Sequence, residues 1–483
     1  MKITKKQKLA IESLINLTPQ EIAVNLGIPL TSVEDHLRNR GYNNTQRRAD
    51  KYYTESDAEL NGNITQKITA FWNANKNKVL LIVVLGFIIY ASALPNGFVS
   101  DDLPLLRSPN LKNPFLPLMT EPVSAFLNSL TYTLNYYLNG INPLGYHLVN
   151  ILFHTLLTLT AYFFLSLLTK ERIAFLASLL FLVSPLRSEA VFWVSGRHYI
   201  LYSIFVILSL ILHLFAVQPK ALPKYRLWSV IFFVFAVYSF PEQGLVLPLL
   251  LILVDFYQGQ LRQRAKHYWP YFLLAAIFTF LSLSRVFLRI QEVNGDVTQL
   301  SSPQINFVLA GIVAISTYLQ LFLIPLGLTF YHETFSTNSL EIIIRFSVLI
   351  LLIGTPFYII KKNRFFLLSV GIFIVALLPT ITPFRVSWIV AERYAYLASL
   401  GLAMLLAYVI NIAIEKLKPN PTIKYLIAAI ILAYSVVTFM RGFDWKDEDS
   451  LWLATIKTSP TSSKALNNIG DYYGRHGDPQ KSF

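Results

Sequence analysis

Two adjacent carboxylates, Asp101 and Asp102, close the stretch Asn96-Gly97-Phe98-Val99-Ser100-Asp101-Asp102, which follows the first long apolar run almost without a break. Ionised carboxylates are costly to bury in hydrocarbon, so this pair belongs at the water interface of a membrane segment. There one of them can serve as a general base that takes the proton of a hydroxyl. The plain alternative is solvated loop charge. Two further clusters set ionisable side chains among apolar ones. Residues 184–198 hold Arg187, Glu189, Arg197 and His198, and residues 391–396 hold Glu392, Arg393, Tyr394 and Tyr396. The planar fork of arginine suits a phosphate, because it donates two hydrogen bonds at once. An ion pair of Glu189 with Arg187 or Arg197 is the structural alternative.

These residues need a membrane scaffold to hold them, and the composition supplies one. Of 483 residues 54% are hydrophobic and only 14% are charged, outside the range of ordinary soluble domains. The net charge of +14 lies in short loops between apolar runs, so orientation in a bilayer accounts for it better than nucleic-acid binding. The absence of cysteine excludes disulfides, thiolate catalysis and cysteine-ligated metal sites.

The expected fold class is all-α: a polytopic membrane protein of about 11 spans, each near the roughly 20 residues that a helix needs to cross a bilayer. The runs are 79–94, 146–168, 173–185, 198–216, 227–240, 242–256, 268–288, 340–360, 365–380, 394–414 and 425–440. Basic residues alternate along this series. Lys170 and Arg172, Lys220, Lys224 and Arg226, Arg262, Arg264 and Lys266, Lys361, Lys362 and Arg364, and Lys416, Lys418 and Lys424 mark cytoplasmic loops. By parity the Asp101-Asp102 loop, 184–197, 384–393 and the C-terminal tail share the opposite face. Residues 306–330 break that parity if they span, and read as a re-entrant or interfacial helix pair broken at Pro325. Between the first two spans, Phe126, Leu127, Leu130, Leu134 and Leu138 recur at helical spacing, as in a helix lying on the membrane.

Residues 1–50 are polar and read as a cytoplasmic module, with 51–78 as its linker and no cleaved signal. Residues 17–37 resemble a helix-turn-helix capped by Thr18, with a core of Ile22, Ala23, Leu26, Val33 and Leu37. Through residues 17–48, Arg38, Arg40, Arg47 and Arg48 are candidate contacts to nucleic-acid phosphates. Binding a protein partner is the alternative.

The order of motifs resembles the transmembrane and tetratricopeptide-repeat O-mannosyltransferases. Phe98-Val99-Ser100-Asp101-Asp102 is followed by Gly145-Tyr146-His147-Leu148-Val149-Asn150, Ser184-Pro185 to Glu189-Ala190-Val191, and Gly196-Arg197. Pro241-Glu242-Gln243-Gly244, Tyr318-Leu319 to Pro325, Ala391-Glu392-Arg393-Tyr394, and Asp444-Trp445 before Leu451-Trp452 complete the series. The resemblance implies a GT-C glycosyltransferase domain over 79–440, a polyprenyl-phosphate sugar donor and a first-loop Asp as base. Of Asp101 and Asp102 it favours Asp101, with Asp102 assisting by hydrogen bonding or through a metal. Arg393, Arg197, Tyr396 and Glu392 are then donor and phosphate-binding candidates, supported by Glu189, His147, Glu242 and Arg187. A divalent Mg or Mn ion, if used, would fall to Asp102 or Glu189. The implied reaction is an inverting transfer to a hydroxyl of an acceptor protein or glycan at the outer face of a prokaryotic plasma membrane.

Departures from the family pattern leave the sugar and the acceptor open. Its His-Pro-x-His-x-Glu is Ser184-Pro185-Leu186-Arg187-Ser188-Glu189 here, and its Gly-Arg-x-Asp is Gly196-Arg197-His198-Tyr199. Its Arg-Pro is Glu121-Pro122, and the lysine of its Lys-Glu pair is Pro241. In the tail 441–483, Leu466 to Tyr473 matches the first helix of a tetratricopeptide unit at Ile469, Gly470 and Tyr473, either as a truncated array or as a single docked hairpin. A lipid-linked oligosaccharide ligase or polymerase and a non-enzymatic membrane scaffold are the competing functions.

Overall fold

The computed structural model describes residues 4, 7, 8, 10, 11, 19–39, 63–120, 123–218, 221–295, 307–332, 339–359, 363–381, 388–416 and 421–477. Two compact units divide the chain, residues 1–67 and residues 68–483. In the first, helices α1 (Pro19–Leu26) and α2 (Leu30–Asn39) meet at Gly27, whose φ of +61° ends α1 in a left-handed turn. Ile22, Val33 and Leu37 form the core as their spacing requires, and Ile11 and Ile28 complete it. Thr18, Arg40, Arg47, Arg48 and the side chain of Arg38 lie outside the described residues.

Among the described residues, regular structure in the second unit is helical, apart from an isolated bridge between His332 and Val390. Among the described residues five helices are long and apolar enough to cross a membrane: Ile64–Ala93, Pro143–Ser166, Val194–Ala216, Ala398–Lys416 and Thr422–Asp444. A sixth is possible if Glu171–Val183 and Pro185–Phe192, bent by 56° at Ser184, act as one span. Among the described residues these do not reach the expected number of about eleven. Leu247–Tyr257, with 11 residues, is shorter than a helix that crosses a bilayer. Its Leu247, Leu250, Leu251 and Val254 are enclosed by protein, while Leu249 and Phe256 face outward.

We label the working elements α3 (Ile64–Tyr90), α4 (Asp102–Arg107), α5 (Phe126–Asn139), α6 (Pro143–Ser166), α7 (Glu171–Val183), α8 (Ser188–Phe192) and α9 (Arg197–Ala216). Further along are α10 (Phe307–Leu323), α11 (Arg364–Leu377), α12 (Ala398–Lys416), α13 (Pro421–Asp444), α14 (Glu448–Thr458) and α15 (Ser463–Arg475). Two more expectations change here. Residues 64–78 of the expected linker are helical, because α3 runs through them without interruption. Residues 307–332 are not a helix pair: α10 is followed by irregular chain, with Gly327 at φ +82°.

Helix α9 is enclosed nearly all round, whereas α13 turns Leu426, Leu432, Val436 and Met440 outward, as a lipid-facing helix does. Helix α5 forms where its spacing predicts, burying Tyr132, Thr133 and Asn135 and exposing Leu134, Tyr137 and Leu138. One end of the bundle collects Lys78 with Glu171, Lys170 with Glu415 at 2.9 Å, and Arg264 with Asp255 at 2.7 Å. The other end collects the Asp101-Asp102 loop, the 193–195 turn and residues 392–393 and 441–448. The tail is a docked hairpin of α14 and α15, closed by Asp449 and Arg475 at 2.9 Å.

Helices α11 and α12 approach closely at Gly401, where an added Cβ would lie 2.3 Å from the Ser369 carbonyl oxygen and 2.6 Å from the Phe373 nitrogen. Small residues at such crossings let backbones meet in a membrane. Gly401→Ala is expected to cost about 1–3 kcal/mol of stability, read as a lowered thermal midpoint in detergent; an unchanged midpoint would refute the close approach.

Candidate active site

The chain leaves α3 through the turn Ala91–Ala93 and is then stapled to the end of α13. Ser92 Oγ donates to the Phe439 carbonyl at 2.9 Å, Asn96 Nδ2 to the Gly442 carbonyl at 2.9 Å, and the Gly97 amide to the Lys446 carbonyl at 2.8 Å. Gly442 makes this possible: a Cβ there would sit 2.1 Å from Ser92 Oγ. His147 supports the same loop, its Nε2 lying 3.2 Å from the Gly97 carbonyl oxygen. The Ser100 amide donates to Glu448 Oε2 at 2.7 Å, while Glu448 Oε1 accepts from Trp452 Nε1 at 2.8 Å. Ser100 has φ +52°, a left-handed conformation rare outside glycine, held by these contacts.

The two aspartates then part company. Asp102 is fully buried. Its Oδ1 accepts from the Ser195 amide at 2.7 Å and Ser195 Oγ at 2.6 Å, and its Oδ2 from the Val99 amide at 3.1 Å. Burial outweighs these bonds and raises its pKa from 3.8 to about 7. Asp101, one residue earlier, is exposed at the start of α4.

Ser195 belongs to a turn held from beneath. Asn150 Nδ2 donates to the carbonyls of Trp193 at 3.0 Å and Val194 at 3.4 Å, and Tyr132 OH donates to the latter at 2.8 Å. Arg197 fixes Asn150: its Nε donates to Asn150 Oδ1 at 2.8 Å and its Nη2 to the Tyr146 carbonyl at 3.0 Å, with its guanidinium 4.5 Å over the Tyr132 ring. The side chain is turned inward and props the turn instead of offering its fork to a phosphate.

The other ionisable residues divide in the same way. Glu189 pairs with Arg393, not with Arg187 or Arg197: Oε2 accepts the Arg393 amide at 2.9 Å and Oε1 accepts from Nη1. The Arg393 guanidinium is framed by the rings of Trp193, Phe330 and Tyr394, at 5.4, 5.5 and 5.3 Å. Arg187 caps the C-terminus of α7, donating to the Phe181 carbonyl and, at 3.0 Å, to the Leu180 carbonyl, where the helix dipole favours a cation. Tyr396 is fully buried, with its hydroxyl 2.6 Å from His154 Nδ1. Glu392 is fully buried beside Arg441, at 3.6 Å, and His332, at 3.5 Å. Glu242 is exposed on the short helix Pro241–Gly244.

A metal does not fit the two carboxylates suggested for it. Asp102 is occupied by three N–H and O–H donors, and Glu189 has both oxygens on Arg393. Among the described residues no three His, Asp or Glu side chains converge as ligands.

Ser195, Glu448 and Arg441 escaped the reading of the sequence, and Asn150 entered it only as the end of a motif. A small polar residue such as Ser195, between Val194 and Gly196, carries no signal. Arg441, though, is a lone cation at the end of an apolar run, which could have marked it.

Because Asp102 binds its proton more tightly folded than unfolded, the stability of its neutral form is fully present below about pH 4 and is lost as pH rises through about 7. The thermal midpoint in detergent should therefore fall between about pH 5 and about pH 8. Asp102→Asn should flatten that slope. A slope unchanged in the variant would assign the effect to another group.

No protein-family model matches the chain. The Caenorhabditis elegans protein O-mannosyl-transferase F38B6.6 is 30% identical over 460 residues, covering 84% of this chain and 61% of the relative. Human protein O-mannosyl-transferase TMTC3 is 25% identical over 462 residues, covering 82% of this chain and 49% of the relative. The chain thus spans about half to three-fifths of the length of these relatives. Among solved structures, the archaeal oligosaccharyltransferase AglB from Archaeoglobus fulgidus, in complex with an inhibitory peptide and a dolichol-phosphate, aligns with a TM-score of 0.46 and 12% identity, over 83% of this chain and 59% of AglB. ArnT from Cupriavidus metallidurans bound to undecaprenyl phosphate aligns with a TM-score of 0.41 and 14% identity, over 84% of this chain and 73% of ArnT.

Proposed function

We propose that this chain, an integral membrane protein related to the protein O-mannosyl-transferases over most of its length, is a glycosyltransferase of GT-C type. It moves a sugar from a polyprenyl-phosphate carrier to an acceptor hydroxyl, with inversion. The observation that carries this reading is the division of labour between the aspartates. Asp102 is spent on Ser195 and Val99, and Asp101 beside it is presented to solvent on a loop held by the 193–195 turn and by Glu448.

Asp101 accepts the proton of a Ser or Thr hydroxyl as its oxygen bonds to the anomeric carbon. The bond from that carbon to the phosphate oxygen breaks, and the lipid phosphate leaves with the electron pair. Arg393, oriented by Glu189, supplies positive charge to the leaving phosphate. Arg197 acts at one remove, through Asn150 and the turn that holds Asp102. The catalytic face is the non-cytoplasmic one, opposite the basic loop ends, and the α14–α15 hairpin lies on that face, where it can present an acceptor protein.

The test is transfer in liposomes from radiolabelled undecaprenyl-phosphate mannose to a Ser/Thr peptide. Asp101→Asn is expected to lower the rate by about 10²- to 10⁴-fold, the usual worth of a general base, with an unchanged thermal midpoint. Transfer retained in a folded variant would sink the assignment.

A further inference from the structure

Among the described residues seventeen buried polar side-chain atoms lack a hydrogen-bond partner, and seven of them belong to six residues linked to one another through Phe330 and Glu392. They are Glu392 Oε2, Arg441 Nε and Nη2, Trp193 Nε1, Trp445 Nε1, His332 Nε2 and Thr329 Oγ1. Phe330 packs edge-on against Trp193 at 5.6 Å and Trp445 at 5.4 Å, and Thr329 and His332 flank it in the chain. Glu392 accepts the Thr329 amide and lies 3.5 Å from His332 and 3.6 Å from Arg441. Glu392, Arg441, Trp193, Trp445 and Thr329 are all more than nine-tenths buried.

Native proteins rarely leave buried polar atoms unpaired, and a concentration of them marks a place that something else completes. The group alternates donors with an acceptor. The guanidinium and the two indole N–H groups can only donate, whereas Glu392 Oε2 can only accept when ionised. A phosphate offers acceptors alone and would leave that carboxylate oxygen without a donor, and an apolar lipid tail would satisfy none of the seven. A polyhydroxylated ring suits both kinds, since each hydroxyl donates once and accepts besides, and its C–H faces pack on indole rings.

We infer that this cluster is the subsite for the transferred sugar, with Glu392, Arg441, Trp193 and Trp445 reading its hydroxyl groups; this rests on the function proposed above. Its position agrees with the chemistry. Trp193 lies two residues from Ser195, which holds Asp102, and Gly442, next to Arg441, holds Asn96 of the Asp101 loop. Arg393 is 5.4 Å from the Trp193 ring and 5.5 Å from Phe330. The sugar is thus set between the cation for its phosphate and the base for its acceptor.

The experiment measures binding to the full chain in nanodiscs of two lipids, undecaprenyl-phosphate mannose and bare undecaprenyl phosphate. The variants are Trp445→Phe, which keeps the ring packing and removes the N–H, and Glu392→Gln, which keeps an oxygen for the Thr329 amide. Wild type should bind the sugar-bearing lipid tighter than the bare one. Each variant should weaken the sugar lipid tenfold or more and leave the bare lipid unchanged. Equal losses for both lipids would make this a phosphate or structural site, and no loss for either would make it a water-filled one; both overturn the subsite while leaving the proposed function standing. Wild type binding neither lipid overturns the function and the subsite together.

Discussion

The active face depends on one buried carboxylate. Asp102 joins two parts of the chain far apart in sequence, the loop after the first span and the turn before α9, through three hydrogen bonds from Ser195 and Val99. Without those donors the carboxylate would be too costly to bury, and without the carboxylate the Ser195 and Val99 donors would be stranded. Each half of the contact therefore enforces the other. The consequence is positional: a residue adjacent to a fixed, buried Asp is held at the surface with little freedom, and that residue is Asp101.

The arginines show how local surroundings sort one residue type into different tasks. Arg187 meets the free carbonyls at the end of α7, so it caps a helix. Arg197 meets an amide and a backbone carbonyl beneath the 193–195 turn, so it braces. Arg393 meets a carboxylate and three aromatic rings, so it keeps its full charge in an apolar frame. Arg441 bonds to Asp444 with one nitrogen and leaves two others buried without hydrogen bonds. A guanidinium carries five N–H donors in a fixed fork, and these four differ in which acceptors the fold has given those donors.

Apolar runs were a weaker guide to topology than to class. Enclosure by protein and exposure to lipid call for the same side chains, so a run such as 242–256 reads as a span although it holds one short helix and an 11-residue one whose Leu247, Leu250, Leu251 and Val254 are enclosed. Helical periodicity was safer ground, as in α5 and in the core of α1 and α2, because a face buried every three or four residues is a property of one element alone.

Sequence alone determined the membrane class, the helical character, the exclusion of thiol chemistry and the Asp101-Asp102 pair, since each follows from composition or from residues adjacent in the chain. The resemblance to protein O-mannosyl-transferases also rested on short motifs in order. Tertiary structure alone decided that Asp102 is buried and Asp101 exposed, that Glu189 takes Arg393 as its partner, that Glu392 lies beside Arg441, and that Trp193 and Trp445 pack on Phe330. The reason is distance along the chain: Glu189 and Arg393 are 204 residues apart, and hydrogen bonds at that separation are chosen by packing, which no local pattern of residue types encodes.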